Sequence, residues 1–182
     1  MQIGQHHIIH PSFKCGKNFK AGHFCIIAEN CEVGDDVTLM DYVKLMPGTR
    51  IGNNTKLDDY VNTSGYCVIG NNVRIKRCSM IGQACLIEDD VQIMSHITTI
   101  RMKKPQDGKD AKEEWVTIKK GAVIGSHSCI LSGITIGEGA MIGAGAVVTK
   151  NCEPGGVYVG NPAHLIVYHR IGTISEKDIT PC

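Results

Sequence analysis

Aromatic side chains are scarce in this sequence: they make up 5% of its 182 residues, with a single tryptophan. A core of ordinary thickness leans on bulky rings, so the scarcity points towards thin, repeated layers. Net charge is nearly absent as well. A formal balance of +1 removes the general electrostatic ground for binding nucleic acid or an anionic membrane. No apolar run approaches the ~18 residues of a membrane span. The opening Met1-Gln2-Ile3-Gly4-Gln5-His6-His7 has neither the basic start nor the apolar stretch of a secretory signal. No Cys-x-x-Cys pair occurs, which removes the usual spacings of zinc and redox sites. The nine cysteines, odd in number and without an export signal, read as reduced thiols of a cytoplasmic protein.

What the sequence has in quantity is glycine, 21 residues, and a strict arithmetic. Stepping by six from Ile27 gives Val33, Leu39, Leu45, Ile51, Leu57, Thr63, Ile69, Ile75, Ile81, Ile87 and Ile93. Backwards, the series continues as Ala21, Cys15, Ile9 and Ile3. Glycine often follows the marker, as at Gly16, Gly34, Gly52 and Gly70, and four residues after it stands a small or β-branched side chain, as at Cys25, Val37, Thr49 and Val61. A second block runs Ile118, Ile124, Ile130, Ile136, Ile142, Val148.

Neither the helical period of 3.6 nor the strand period of 2.0 produces a six. An inward aliphatic, a glycine and a second small inward residue describe a short strand plus a tight corner, with glycine supplying the corner's dihedral angles. Three such units make one triangular coil, and coils stack at the strand spacing of about 4.8 Å. The units predict an all-β prism of about seven coils, on the order of 34 Å long, in which no coil is stable alone. Cys25, Cys31, Cys67, Cys85 and Cys152 fall on the small inward position and Cys15 on a marker. A thiol there behaves as a small hydrophobe, and no metal site is read from the cysteines.

The most distinctive stretches are Ile124-Gly-Ser-His, Ile134-Thr-Ile-Gly, Ile142-Gly-Ala-Gly-Ala-Val-Val-Thr-Lys150 and Gly160-Asn-Pro-Ala163. With the hexapeptide period they resemble the left-handed parallel β-helix acyltransferases. The last stretch looks like the C-terminal signature of acetyl-CoA-dependent sugar acetyltransferases, both galactoside-type O-acetyltransferases and nucleotide-amino-sugar N-acetyltransferases. The left hand is implied by this resemblance, since the general rule for parallel crossovers is right-handed. The resemblance also implies acetyl-CoA as co-substrate and a homotrimer with active sites between subunits. Flat prism faces and a narrow core agree with a cleft formed by juxtaposed chains.

By the same resemblance, Ser126, Ala144, Thr149 and Lys150 match cofactor-binding positions. Small residues along the last coils, Gly133 and Gly145 among them, leave room for a pantetheine arm against the backbone, although corners ask for such residues in any case. Lys150 offers a point charge to a phosphate of coenzyme A. One departure is Val123, where galactoside-type relatives often carry tryptophan.

Between Ile93 and Ile118 the step is 25 and the period breaks. The interruption, placed at 97–115, is dense in charge and holds Pro105 and Gly108, so it reads as an exposed loop ejected from a middle coil. The organisation is thus a β-helix over 1–163 and a short tail over 164–182. His96 stands at the base of the loop. Transfer from a thioester needs a group to take the acceptor's proton, and neutral imidazole suits that task. His96 is the candidate catalytic base, with anchoring the loop or contacting the acceptor as its other reading. His127 is a second candidate or a groove residue. His6, His7, His10 and His23 read as ordinary polar residues. Glu113 and Glu114 solvate the loop or orient a histidine. Trp115 packs the loop or offers a flat face to a base or sugar.

Two acceptor classes stay open. A β-helix that begins almost at residue 1, with a short tail, looks like the enzymes that acetylate an amino group of a nucleotide-linked deoxyamino sugar, and that reading is favoured. His96 pulls towards a saccharide hydroxyl. A non-catalytic β-helical scaffold subunit is the remaining alternative. The γ-class carbonic anhydrases share the fold but need three zinc-binding histidines, and the pair His164 and His169 lies past the last coil.

Overall fold

The computed structural model describes residues 2–100 and 115–168. They form twenty-five short strands and no helix. In each of three sheets the hydrogen-bonded neighbour of a strand is the third one along the chain, except at the end of the first sheet, where Met141–Ile142 pairs with Gly156–Val159 and that strand with His164–Tyr168; every pairing but that last is parallel. Partners stand eighteen residues apart, as in Ile3↔Ala21 and Leu39↔Leu57, and thirty-one apart across the insert, as in Gln92↔Val123. The result is a three-sided parallel solenoid, consistent with a left-handed β-helix. We name its sides by their first strands: Gln2–Ile3 on the first, Ile8–Ile9 on the second, Lys14–Cys15 on the third.

The solenoid has about eight turns, one more than the period count predicts. The difference comes from two strands that break the aliphatic pattern. Thr98–Thr99 continues the second side, and Gly156–Val159 extends the first. The insert therefore begins later than expected. Ile97 is fully buried, and the Ile100 N–H donates to the Ile130 carbonyl at 2.9 Å, so the coil runs through residue 100. It has resumed by Val116, which is buried. Residues 101–114, with Glu113 and Glu114, and 169–182, with His169, lie outside the described residues.

The inward markers stack into three apolar ladders, from Ile27, Leu39 and Ile51 up to Ile118, Ile124 and Ile130, each at most 4% exposed. Burial of each is worth roughly 1.5–3 kcal/mol, offset by comparable chain entropy. Two markers are polar and are satisfied inside. The Thr63 hydroxyl accepts from the Met46 N–H at 3.1 Å, and that of Thr99 from the Gly82 N–H at 2.7 Å. The five cysteines expected on the small inward position are all buried.

Glycine after the marker serves a different purpose from the one expected. Gly4, Gly16, Gly52, Gly70 and Gly125 do not have positive φ; a Cβ on them would lie 2.5–2.8 Å from backbone atoms of the next turn. Close stacking of turns excludes a side chain there. The left-handed dihedral falls two residues further on, at φ near +55 to +60°, and is mostly occupied by residues other than glycine, such as Asn30, Asp36, Tyr42 and Asn72.

At the C-terminal end the stretch Gly160-Asn-Pro-Ala163 closes the last turn. The Val147 N–H donates to the Gly160 carbonyl at 2.9 Å, and the Ala163 N–H donates to the Val147 carbonyl at 2.8 Å. The chain then reverses, and His164–Tyr168 pairs antiparallel with Gly156–Val159.

Candidate active site

Each corner of the prism is a line of residues one turn apart, and the corner between the first and second sides differs from the others. Its left-handed positions are His6, Phe24, Tyr42, Tyr60, Cys78, His96, His127 and Gly145. Four rings form a continuous stack: His6 on Phe24 at 5.1 Å between centroids, Phe24 on Tyr42 at 5.0 Å, and Tyr42 on Tyr60 at 4.7 Å. One turn beyond Cys78, His96 and His127 form a second stack at 4.7 Å and 9° between ring planes. The backbone register is unbroken along this corner. The His96 N–H donates to the Arg77 carbonyl and the His127 N–H to the Ser95 carbonyl, both at 3.0 Å.

The insert explains how two histidines thirty-one residues apart become neighbours. The described coil on either side of residues 101–114 is in register, so that Thr98↔Cys129 pair beside the corner that carries the imidazoles. Both histidines are exposed, and both adopt φ near +60° (61° at His96, 59° at His127). For an L-residue that conformation costs roughly 1–2 kcal/mol. Among the described residues after 114, every other residue with positive φ is glycine. His127 therefore holds an imidazole where its own part of the chain otherwise uses the residue that relieves strain.

The six candidate cofactor residues divide between two corners. Ser126, Ala144 and Gly145 share the corner of the histidines, and the Gly145 N–H donates to the Ser126 carbonyl at 2.8 Å. Ala144 and Gly145 are exposed, and a Cβ on Gly145 would meet nothing within 4 Å. Gly133, Thr149 and Lys150 follow the strands Cys129–Ile130 and Val147–Val148 and so lie at the next corner. Gly133 has φ +71°, and Lys150 is exposed. One side of the prism separates the two groups, at most about 20 Å for six residues. Its outward side chains in these turns are Thr98, Cys129 and Val147. Burial pushes the Cys129 thiol above its usual range. Small, apolar or neutral floor residues between an imidazole pair and a lysine suit an extended donor with an acyl group at one end and phosphate at the other.

The corner line was readable in the sequence at a spacing of eighteen from His6, but the period of six hides it among two other lines. His6 belongs to this stack. His7 turns inward at the open end of the prism, where both ring nitrogens are buried without a hydrogen-bond partner. Trp115 is 40% exposed, at the point where the coil resumes. Among the described residues no group of three His, Cys, Asp or Glu could hold a metal ion. Two surface depressions among the described residues lie away from the imidazoles. One of about 430 Å³ is lined by Gln2, Lys20 and Asp36, and one of about 540 Å³ by Glu88, Lys119 and Asn151. Neither includes His96 or His127, whose corner is convex in the single chain.

Comparison with known proteins places this architecture. The family model described as GMPPB C-terminal domain matches residues 3–105, and the model described as bacterial transferase hexapeptide (six repeats) matches residues 116–150. The serine acetyltransferase of Buchnera aphidicola subsp. Acyrthosiphon pisum is 39% identical over 88 residues, 48% of this chain and 30% of the relative. That of Salmonella typhimurium is 34% identical over 87 residues, with the same shares. The chain thus matches less than a third of the length of these curated relatives.

Among solved structures, the polySia specific acetyltransferase NeuO superposes with a TM-score of 0.70 at 20% identity, covering 97% of this chain and 83% of the other. A variant of AntD, an N-acyltransferase from Bacillus cereus in complex with dTDP and coenzyme A, superposes with a TM-score of 0.64 at 23% identity, covering 87% and 84%. At these identities the likeness is one of fold. The two family models meet across the insert, so that the run of corners before it and the six repeats after it are one continuous solenoid: the chain belongs to the hexapeptide-repeat transferase family.

Proposed function

We propose that the protein is an acetyl-CoA-dependent acetyltransferase whose acceptor is the amino group of a nucleotide-linked deoxyamino sugar. The observation that carries the reading is the stacked pair His96–His127, held in the left-handed conformation beside a row of small residues. The acetyl thioester supplies an electrophilic carbonyl and a thiolate leaving group. His96 takes the proton of the acceptor nitrogen as that nitrogen attacks, and returns it to the departing sulfur. General-base help of this kind is worth about 10²–10⁴-fold. His127 covers one face of His96 and leaves its ring nitrogens, which lie in the ring plane, at the exposed edge. Ser126, Ala144 and Gly145 line the acyl end of the donor, and Gly133, Thr149 and Lys150 the phosphate end. The N-acyltransferase AntD, in complex with dTDP and coenzyme A, supports the acceptor class, and the UDP-N-acetylglucosamine acyltransferase of Campylobacter jejuni supports only its nucleotide link, since the nitrogen of that sugar is already acylated.

Acetylation of a hydroxyl is the second reading. It is favoured by the presence of an imidazole base and by the serine acetyltransferases among the relatives. Coenzyme A release from acetyl-CoA, measured with nucleotide-linked amino sugars, neutral saccharides and L-serine in parallel, decides between the two. Release with amino sugars alone supports the proposal, release with a hydroxyl acceptor replaces it, and no release with any acceptor overturns both.

The active unit we propose is a homotrimer with composite sites, in the cytoplasm. A convex corner cannot enclose a substrate by itself, and three-fold closure supplies the missing wall. Free thiols at Cys25, Cys31, Cys67, Cys85 and Cys152 suit a reducing compartment. A monomer in sedimentation at micromolar concentration removes the trimer and, with it, the composite site.

A further inference from the structure

The ring ladder on the first corner has one missing rung. Rings occupy every turn from His6 to Tyr60 and again at His96 and His127; the turn between them carries Cys78. The gap is a missing side chain and not a break in the solenoid. The Cys78 N–H donates to the Asp59 carbonyl at 3.0 Å, and the His96 N–H to the Arg77 carbonyl at 3.0 Å. Tyr60, Cys78 and His96 are all exposed, Tyr60 by 56%.

Two turns separate Tyr60 from His96, about 9.6 Å at the strand spacing. A flat ring in contact with both neighbours needs about 7–8 Å, from contact distances of 3.5–4.0 Å on each side. Two stacked rings would need more than about 10 Å by the same contacts. A single ring midway would stand about 4.8 Å from each neighbour, which falls within the 4.7–5.1 Å that the ladder's own rings keep. Arg77, exposed, stands one residue before Cys78, and its carbonyl accepts from the His96 N–H across the gap. Beyond His127 the corner is open as well, at Gly145, but no further ring stands there, so that side offers one face where the Cys78 gap offers two.

We infer that the Cys78 rung is the acceptor's docking slot: one planar nucleobase completes the ladder between Tyr60 and His96, with its phosphates on Arg77. The inference rests on the proposed acetyl transfer only for the identity of His96 as the base. A ring on the face of His96 leaves its in-plane nitrogens free, and Arg77 offers the planar fork that suits phosphate. The order along the corner is then acceptor, His96, His127, donor, with the acceptor towards the N-terminal turns and the small residues of the donor groove towards the C-terminal ones.

Equilibrium binding of dTDP and UDP, without acetyl-CoA, tests the slot. Phenylalanine already occupies this corner conformation at Phe24, so Cys78→Phe fills the rung at a position the fold accepts. Wild type should bind at least one of the two nucleotides. Cys78→Phe should weaken that binding at least tenfold, and Tyr60→Ala by roughly 5- to 150-fold, the range for one stacked base. Cys78→Ser should bind as wild type. In the unmodified protein, saturating nucleotide should slow alkylation of Cys78 by iodoacetamide. Undiminished binding by Cys78→Phe, no protection of Cys78, or no binding of either nucleotide at millimolar concentration overturns the slot. Binding of the free amino sugar in place of the nucleotide does so too. These readings are separate from the reaction. A protein that binds dTDP at Cys78 but never releases coenzyme A keeps the slot and loses the proposed activity. One that acetylates its acceptor with the same KM in Cys78→Phe keeps the activity and loses the slot.

Discussion

Two corners of the same prism meet the same backbone demand with opposite chemistry. The corner between the third and first sides carries Asn18, Asp36, Asn54, Asn72 and Asp90 at its left-handed positions. Asn and Asp tolerate that conformation, and here their side chains also hydrogen-bond from turn to turn. The Asn18 side chain donates to Asp36 at 2.9 Å, Asn54 to Asn72 at 2.8 Å, and Asn72 to Asp90 at 3.0 Å. The corner between the first and second sides carries Phe24, Tyr42, Tyr60, His96 and His127 at equivalent dihedrals. Phe24, Tyr42 and Tyr60 are not residues that backbone comfort would select, whereas histidine, like Asn and Asp, is found there more often. Stacking offsets part of the strain, at ~0.5–1.5 kcal/mol per aromatic pair. The contrast separates a corner that maintains the fold from one that is kept for what its side chains do.

The sharpest way to break the comparison is to remove a side chain from each corner and read both activity and stability. His96→Ala should lower kcat by about 10²–10⁴-fold with the fold intact. Full turnover on the true acceptor would mean that the base is elsewhere, or that the substrate's own thiolate takes the proton. A second contrast sets corner cysteines against inward ones. Burial pushes the Cys67 thiol up to about 11 and that of Cys85 further in the same direction. A thiol whose pKa is raised in the folded state contributes stability that is complete below its unfolded pKa near 8.5 and is lost as pH rises towards the folded value. Melting temperature should therefore fall on the alkaline side from about pH 8.5, at up to about 1.4 kcal/mol per pH unit for each thiol. Cys67→Ala should flatten that limb. At pH 8, peptide mapping after iodoacetamide should find Cys67 and Cys85 alkylated at least about 100-fold more slowly than free cysteine. Comparable rates would place them nearer solvent than the structure does.

A smaller effect is expected at Lys150, on the corner between the second and third sides. Lys150→Ala should reduce the preference for acetyl-CoA over its dephospho form by about tenfold, the scale of one charge-assisted contact. An unchanged preference assigns the phosphate to another residue. At the amide corner the effect falls on stability alone, and the smallest effect on activity is expected there. Asn54→Ala should cost about 1–3 kcal/mol, through one lost hydrogen bond and the strain of alanine in the left-handed conformation, visible as a fall in melting temperature, and should leave kcat alone. A loss of activity there would erase the distinction between the two corners.

Much of this architecture is legible from residue types alone, and the exceptions have physical reasons. Ile27 to Ile93 reveal the period because burial on one face admits only aliphatics, and the cysteines at small inward positions follow from the same volume limit. The turn through Thr98–Thr99 is missed because threonine at a marker is normally too polar to signal a core; here its hydroxyl is satisfied by the Gly82 N–H. The role of glycine after the marker is misread because close approach between turns and a positive φ select the same residue. Within the site, His96 and His127 are identifiable as imidazoles near an insert. Their stacking is not, because it depends on where the insert lets the chain re-enter, and that is a register and not a composition.

Register also makes this solenoid unusually sensitive to the phase of insertions and deletions. Loss of eighteen residues from the early turns would delete one rung from each corner and leave every remaining line intact, whereas loss of six would rotate all that follows by a third of a turn. The Asn and Asp line would then abut the aromatic line, and loss of the six residues 119–124 would carry His127 to a different edge from His96 while the aliphatic ladders still stacked. A chain so altered could remain folded and yet be catalytically void.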